Sequence, residues 1–106
     1  MYSAFQKGEI MGAINLIARI DAYEDTADRV HHLLVEYGKH VLTMDGSQRF
    51  EVYRDRDNAL QIVVIERYRD DEAFAEHLAD PENEVLNGKL TELTDGGSTL
   101  QFLTEK

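Results

Sequence analysis

The chain has 106 residues, 21 of them acidic and 11 basic, for a formal net charge of −10. That length makes one domain with a modest core, and the absence of cysteine excludes disulfides, thiolate metal sites and a cysteine nucleophile. The acidic balance, with no basic cluster interleaved with aromatics, argues against nucleic acid and anionic lipid as partners, and without an apolar leader or a long apolar run the expected location is cytoplasmic.

In chain order, the first ten residues show no clear period and Met11-Gly12 looks like a second start. Residues 1–12 therefore read as an N-terminal extension or cloning remnant, and 13–106 as the domain. A first strand is predicted over 13–21, with Ile14, Leu16, Ala18 and Ile20 on one side. A helix follows, with Asp25 or Thr26 as its cap and Glu24, Asp25 and Asp28 at its positive end. Val30, Leu34, Tyr37, Val41 and Met44 form its apolar stripe, and Asp45-Gly46 is its stop.

A second strand over 48–54, a polar turn at 55–58 and a third strand over 60–69 make a hairpin. Asp70, Asp71 and Glu72 open a second helix. Asp80-Pro81 breaks it and starts another helical segment, since proline is tolerated at a first helical position. Leu86, Leu90 and Leu93 continue at helical spacing, and Gly96-Gly97 turns the chain into a last strand over 99–104.

The order βαββαβ is the ferredoxin-like α+β arrangement, with helices on one side of a four-stranded antiparallel sheet. The other side carries apolar residues too: Val63 and Ile65 alternate with Leu60, Ile62 and Val64, while Ile17 and Leu103 oppose the main apolar sides of their strands. A sheet with one wet face alternates apolar with polar. The second face is therefore expected to meet another copy of the chain, giving a homodimer; the alternative is that the N-terminal leader folds over it.

From residue types alone, His77 borders the inward face of the second helix and titrates near neutrality when unperturbed. Glu66 and Tyr68 share the side of Ile62 and Val64. His32, Glu36 and His40 step by four like a metal trio. They lie opposite the apolar stripe, facing water, and the outer two are about 12 Å apart along the helix axis, too far for one ion. Asn15 and Arg19 fall on the far side of the first strand and are expected to pair across the dimer interface. Gly96-Gly97 precedes a strand, which excludes a phosphate cradle.

The stretch from Glu66 to Pro81, ERYRDDEAFAEHLADP, resembles the antibiotic biosynthesis monooxygenase family. The shared features are Glu66, Tyr68, an acidic cap, Phe74, His77-Leu78 and Pro81; INLIARI and RFEVYRD are similar to family members as well. The resemblance implies a dimeric α+β barrel with a ligand pocket between sheet and helices in each subunit. It implies a monooxygenase without a cofactor, acting with dioxygen on a small aromatic quinol or polyketide-like phenol. It makes His77 the base, with Tyr68 and Glu66 as catalytic partners and Phe74, Ile62, Val64 and Leu78 as the substrate wall.

Departures from the family pattern are visible. Glu82 stands where many members have a second histidine, and Phe74 where one type has a catalytic tyrosine. Ala18 replaces the asparagine of haem-degrading relatives, and 83–87 lacks their haem-ligating histidine, which disfavours haem degradation. Similarity to autoinducer-processing isomerases on the same fold keeps a non-oxidative activity open. A dimeric ligand-binding module without chemistry is the third alternative.

Overall fold

The computed structural model describes residues 12–105; residues 1–11 of the expected extension lie outside that range. The elements are β1 (Ile14–Ala22), α1 (Ala27–Val41), β2 (Ser47–Arg54), β3 (Gln61–Tyr68), α2 (Asp71–Ala79), α3 (Pro81–Leu93) and β4 (Thr94–Leu103). The strands form one antiparallel sheet in the order β2-β3-β1-β4. This is the expected ferredoxin-like fold, with the second helical region split in two at Pro81.

The period of two decides which side chains meet the helices. Leu16, Ala18, Ile20 and Ala22 of β1 and Ile62, Val64, Glu66 and Tyr68 of β3 are buried. They pack beneath Val30, Leu34, Tyr37 and Val41 of α1, whose spacing makes one helical stripe. Leu86 and Leu90 close the layer from α3. On the far face, Ile17 sits directly opposite Ile65 and Arg19 opposite Val63 in the β1–β3 register. Tyr53 of β2 is Val63's other neighbour, and Leu103 of β4 pairs with Asn15.

Three boundaries differ from the sequence expectation. Thr26 occupies the N-cap of α1 without capping it: its hydroxyl donates to the Leu93 carbonyl at 2.7 Å and accepts from the Tyr23 N–H at 3.0 Å. A tertiary bond thus takes the place of the local one. α1 ends at Val41, before Met44, because the chain tightens into i→i+3 turns and the Thr43 hydroxyl returns to the His40 carbonyl at 2.6 Å. β4 begins at Thr94, so Gly96-Gly97 lies within the strand and does not precede it. The two glycines, at φ 88° and 73°, accompany a register shift against β1 between Ile20 and Ala22. They make a bulge, which has the same left-handed requirement as a turn.

Gly46 holds the α1–β2 turn at φ 92°, and a Cβ there would stand 2.6 Å from the Ala73 Cβ on α2. Its carbonyl also accepts the Arg69 N–H at 2.8 Å, tying the turn to the end of β3. Gly46→Ala combines left-handed strain with a clash against the first turn of α2. Each costs on the order of 1–3 kcal/mol. Chemical denaturation is expected to show a loss of about 2–4 kcal/mol; a loss under 0.5 kcal/mol would mean that the turn is not held as described.

Candidate active site

The β3 alternation puts one acid into an otherwise apolar row. Glu66 is 8% exposed. Its cross-strand neighbours, Leu16 on β1 and Phe50 on β2, are both apolar. Two residues on, the Tyr68 hydroxyl donates to Glu66 Oε1 at 2.6 Å. Burial pushes the Glu66 carboxyl up to about 7, the tyrosine bond only partly offsetting it. Burial also raises the Tyr68 phenol, so that hydroxyl stays protonated and remains a donor.

α2 brings the histidine to this acid. Asp70 caps the helix by accepting the Ala73 N–H at 2.9 Å, and Asp71 and Glu72 occupy the first turn. Ala73 and His77, four apart, then share the buried face. The His77 ring is 4% exposed and stacks on Tyr68 with centroids 4.8 Å apart. Phe74 and Tyr37 flank it, each at 6.1 Å. Its Nε2 lies 3.9 Å from Glu66 Oε1, just beyond hydrogen-bond reach, and its buried Nδ1 has no partner among the described residues. Burial lowers the His77 pKa; the charge of Asp80 opposes that effect and His40 adds to it. Near pH 7 the imidazole is therefore neutral, and the carboxyl beside it is close to half-ionised.

Glu66 and His77 line a cavity of about 100 Å³ between the sheet and the helices. Leu16, Ala18 and Val64 form its floor, Tyr37 stands at the inner end beside the pair, and Leu78 and Leu100 are at the rim. Of the sequence-predicted wall, Phe74, Val64 and Leu78 lie on the cavity, while Ile62, fully buried, belongs to the core and not to the wall. Tyr68 sits behind Glu66 and does not face the cavity; its hydroxyl is spent on the carboxyl.

Sequence reasoning did not single out Asn83, Asn87 or Ser98 as site residues. Their signal is the i, i+4 repeat of asparagine on a helix that must cover the sheet. The Asn83 amide donates to the Tyr37 hydroxyl at 3.0 Å, and Asn87 donates to Asn83 at 3.0 Å. Burial pushes the Tyr37 phenol up to about 12, the Asn83 hydrogen bond opposing it.

The His32–Glu36–His40 trio disperses. Glu36 pairs with Lys39 at 2.9 Å, and His40 does not face water alone but meets Asp80 at 2.5 Å. No three metal-ligating side chains converge among the described residues. Asn15 bonds Glu105 and accepts from Arg67, and Arg19 donates to Gln101 at 2.7 Å, all within the chain.

A buried carboxyl and imidazole side by side in an apolar cleft, under the helices of a small α+β layer, define the site. The family model for antibiotic biosynthesis monooxygenase matches residues 13–85, and the chain belongs to that family. Among solved structures it is similar to Rv0793 of Mycobacterium tuberculosis, with 23% identity and a TM-score of 0.83 over 90% of this chain and 96% of that one. It is also similar to PA3566 of Pseudomonas aeruginosa, with 20% identity and a TM-score of 0.82 over 92% and 97% of the two chains. A variant of SnoaB, a cofactor-independent oxygenase from Streptomyces nogalater, has 19% identity and a TM-score of 0.78 over 89% and 93%. These likenesses establish the fold. No curated protein matches the chain.

Because the tyrosine bond holds the Glu66 carboxyl below where burial alone would put it, removing that donor has a defined sign. Tyr68→Phe is expected to move the Glu66 titration midpoint upward in a pH series. A downward or absent shift would show that the hydroxyl does not serve the carboxylate.

Proposed function

We propose that the protein is a cofactor-independent monooxygenase that oxidises a small aromatic quinol or polyketide-like phenol with dioxygen. The observation that carries this reading is the buried Glu66–His77 pair at the inner end of an apolar cavity, with an imidazole nitrogen unpaired among the described residues. An aromatic guest fits the stacked rings around it, and family membership and the SnoaB likeness agree with the chemistry.

Glu66, poised near 7, is matched to accept a phenolic proton at neutral pH. The neutral His77 beside it can hold the substrate oxygen or take the proton onward. The phenolate is electron-rich enough to pass an electron to dioxygen, and recombination at a ring carbon bearing hydrogen gives a hydroperoxide. Loss of water from that intermediate leaves a carbonyl. One oxygen atom enters the product, the other leaves as water, and the substrate supplies the electrons. Tyr68 holds the carboxyl in place, and Phe74, Val64 and Leu78 enclose the ring.

The same pair supports a second reading, isomerisation by proton shuttling without oxygen, because a carboxyl that titrates at about 7 lies beside an imidazole. Oxygen uptake on a panel of quinols separates the two. Uptake above the uncatalysed rate, falling about 10²–10⁴-fold in His77→Ala, supports the monooxygenase. No uptake, with deuterium exchange into product under argon, supports the isomerase.

The protein is further proposed to act as a homodimer, through the sheet face that carries Ile17, Val63, Ile65 and Tyr53. A second copy covers that face by two-fold symmetry.

A further inference from the structure

Two tyrosines stand beside the buried pair, and they differ in what becomes of the hydroxyl proton. Tyr68 donates its own to Glu66 Oε1 at 2.6 Å, which leaves Oε2 without a partner among the described residues. Tyr37 accepts a hydrogen bond from the Asn83 amide at 3.0 Å and has no acceptor for its own proton among the described residues. It is 8% exposed and lines the cavity together with Asn83, Glu66 and His77.

Local structure fixes where this hydroxyl sits. Tyr37 belongs to the apolar stripe of α1, and its ring is met edge-on by Phe50 at 5.6 Å and flanked by His77 at 6.1 Å. From α3, Asn87 donates to Asn83 Oδ1 and Asn83 donates to the Tyr37 oxygen, each at 3.0 Å. Donors that run one way along a chain polarise one another, and the last donor of this chain is the Tyr37 O–H. Burial, joined by the charges of Asp80, Glu66 and Glu82 against the Asn83 bond, holds its phenol at about 12. The hydroxyl therefore keeps its proton at neutral pH and offers it as a hydrogen bond.

When a phenol passes its proton to Glu66, its O–H bond breaks, the carboxylate becomes neutral and the negative charge moves to the substrate oxygen. In an apolar cavity that charge needs a donor already in place. Neutral His77 has a single N–H to give, and Tyr37 supplies a second donor. We propose that the Tyr37 hydroxyl binds the phenolate oxygen formed when Glu66 takes the substrate proton. Asn83 acts through it, as a positioning residue. The assignment rests on the proposed function for the identity of the proton acceptor, while binding of the oxyanion is measured apart from turnover.

The test uses the full chain and two single-ring probes, 2,3,5,6-tetrafluorophenol and 1,2,4,5-tetrafluorobenzene, which differ by the hydroxyl alone and suit a cavity of about 100 Å³. Fluorine-19 NMR reads both their binding and the ionisation of the bound phenol. At pH 6, below the Glu66 value of about 7, the carboxyl is largely protonated. The phenol, made acidic by its fluorines, then enters as the anion that proton transfer creates. Wild type is expected to hold it as the phenolate. Tyr37→Phe is expected to weaken phenolate binding about tenfold or more, with affinity for the fluorobenzene within about twofold. Asn83→Ala keeps the hydroxyl but removes the bond that polarises it, and is expected to lose part of the same preference. An equal loss on both probes would make Tyr37 a packing residue and overturn the proposal. So would an unchanged affinity for the phenolate in Tyr37→Phe, or a wild type that does not bind it. Oxygen uptake on the quinol panel is scored separately. Selective loss without uptake keeps Tyr37 as the donor and removes the monooxygenase reading, and uptake without selective loss does the reverse.

Discussion

Glu66→Gln is expected to make the protein more stable at pH 8 and to abolish its activity. A glutamate in the unfolded chain ionises near 4.5, whereas in the fold it does so at about 7 because of burial. As pH rises between those values the unfolded chain releases its proton first. The wild type therefore has this stability in acid and loses it as pH climbs through 7, a difference of about 3 kcal/mol by linkage. Glutamine never ionises, keeps an oxygen for the Tyr68 hydroxyl, and escapes the loss. His77 has the opposite sign: its lowered pKa costs stability as pH falls below the ordinary histidine range, in both proteins alike, so it cancels from the comparison. The thermal midpoint of the variant is expected to exceed that of wild type by roughly 10 °C at pH 8 and to match it near pH 4. Turnover should fall by about 10²–10⁴-fold. An equal midpoint difference at both pH values would show that Glu66 is not buried and protonated as described.

A charge on the far face should break the assembly. Ile17 and Ile65 are cross-strand partners on the two central strands, so they lie in the middle of the far face. In a two-fold interface each substitution enters twice, and a carboxylate desolvated there without a partner costs several kcal/mol. Light scattering at micromolar concentration is expected to give twice the chain mass of 12.1 kDa for wild type and the chain mass itself for Ile65→Asp. The variant should remain folded, because the helix-side core does not include this residue. A wild type of single chain mass would remove the dimer, and the explanation of the far-face residues with it.

The sheet was largely legible because one strand carries so much of it. Alternation in β3 reveals both faces, and the acidic cap at Asp70 with Pro81 at the start of α3 marks the helices by local chemistry alone. The misreadings have the same physical root. Gly96-Gly97 satisfies a positive φ, which a turn and a bulge demand equally, and only the pairing of β4 with β1 tells them apart. Thr26 reads as a cap until its hydroxyl finds the Leu93 carbonyl, a contact 67 residues distant.

At the site, the inward placement of Glu66 and His77 was legible, but the effect of burial on their ionisation was not. The perturbation of Glu66 comes from Leu16 and Phe50 on neighbouring strands, and nothing within β3 encodes it. The family resemblance made the histidine the base, and its ordinary pKa agreed with that role. Burial weakens that base and strengthens the carboxylate next to it, so the proposed proton acceptor moves from α2 to β3. Tyr68, expected to touch the substrate, instead points its hydroxyl at the carboxyl.

The proposed chemistry needs a carboxyl that titrates near neutrality inside an apolar cleft. Carbon-13 NMR of the Glu66 side-chain carboxyl across a pH series measures this directly, with Glu66→Gln to assign the signal. A midpoint of about 7 is the predicted result; a midpoint near the ordinary 4.5 would contradict it.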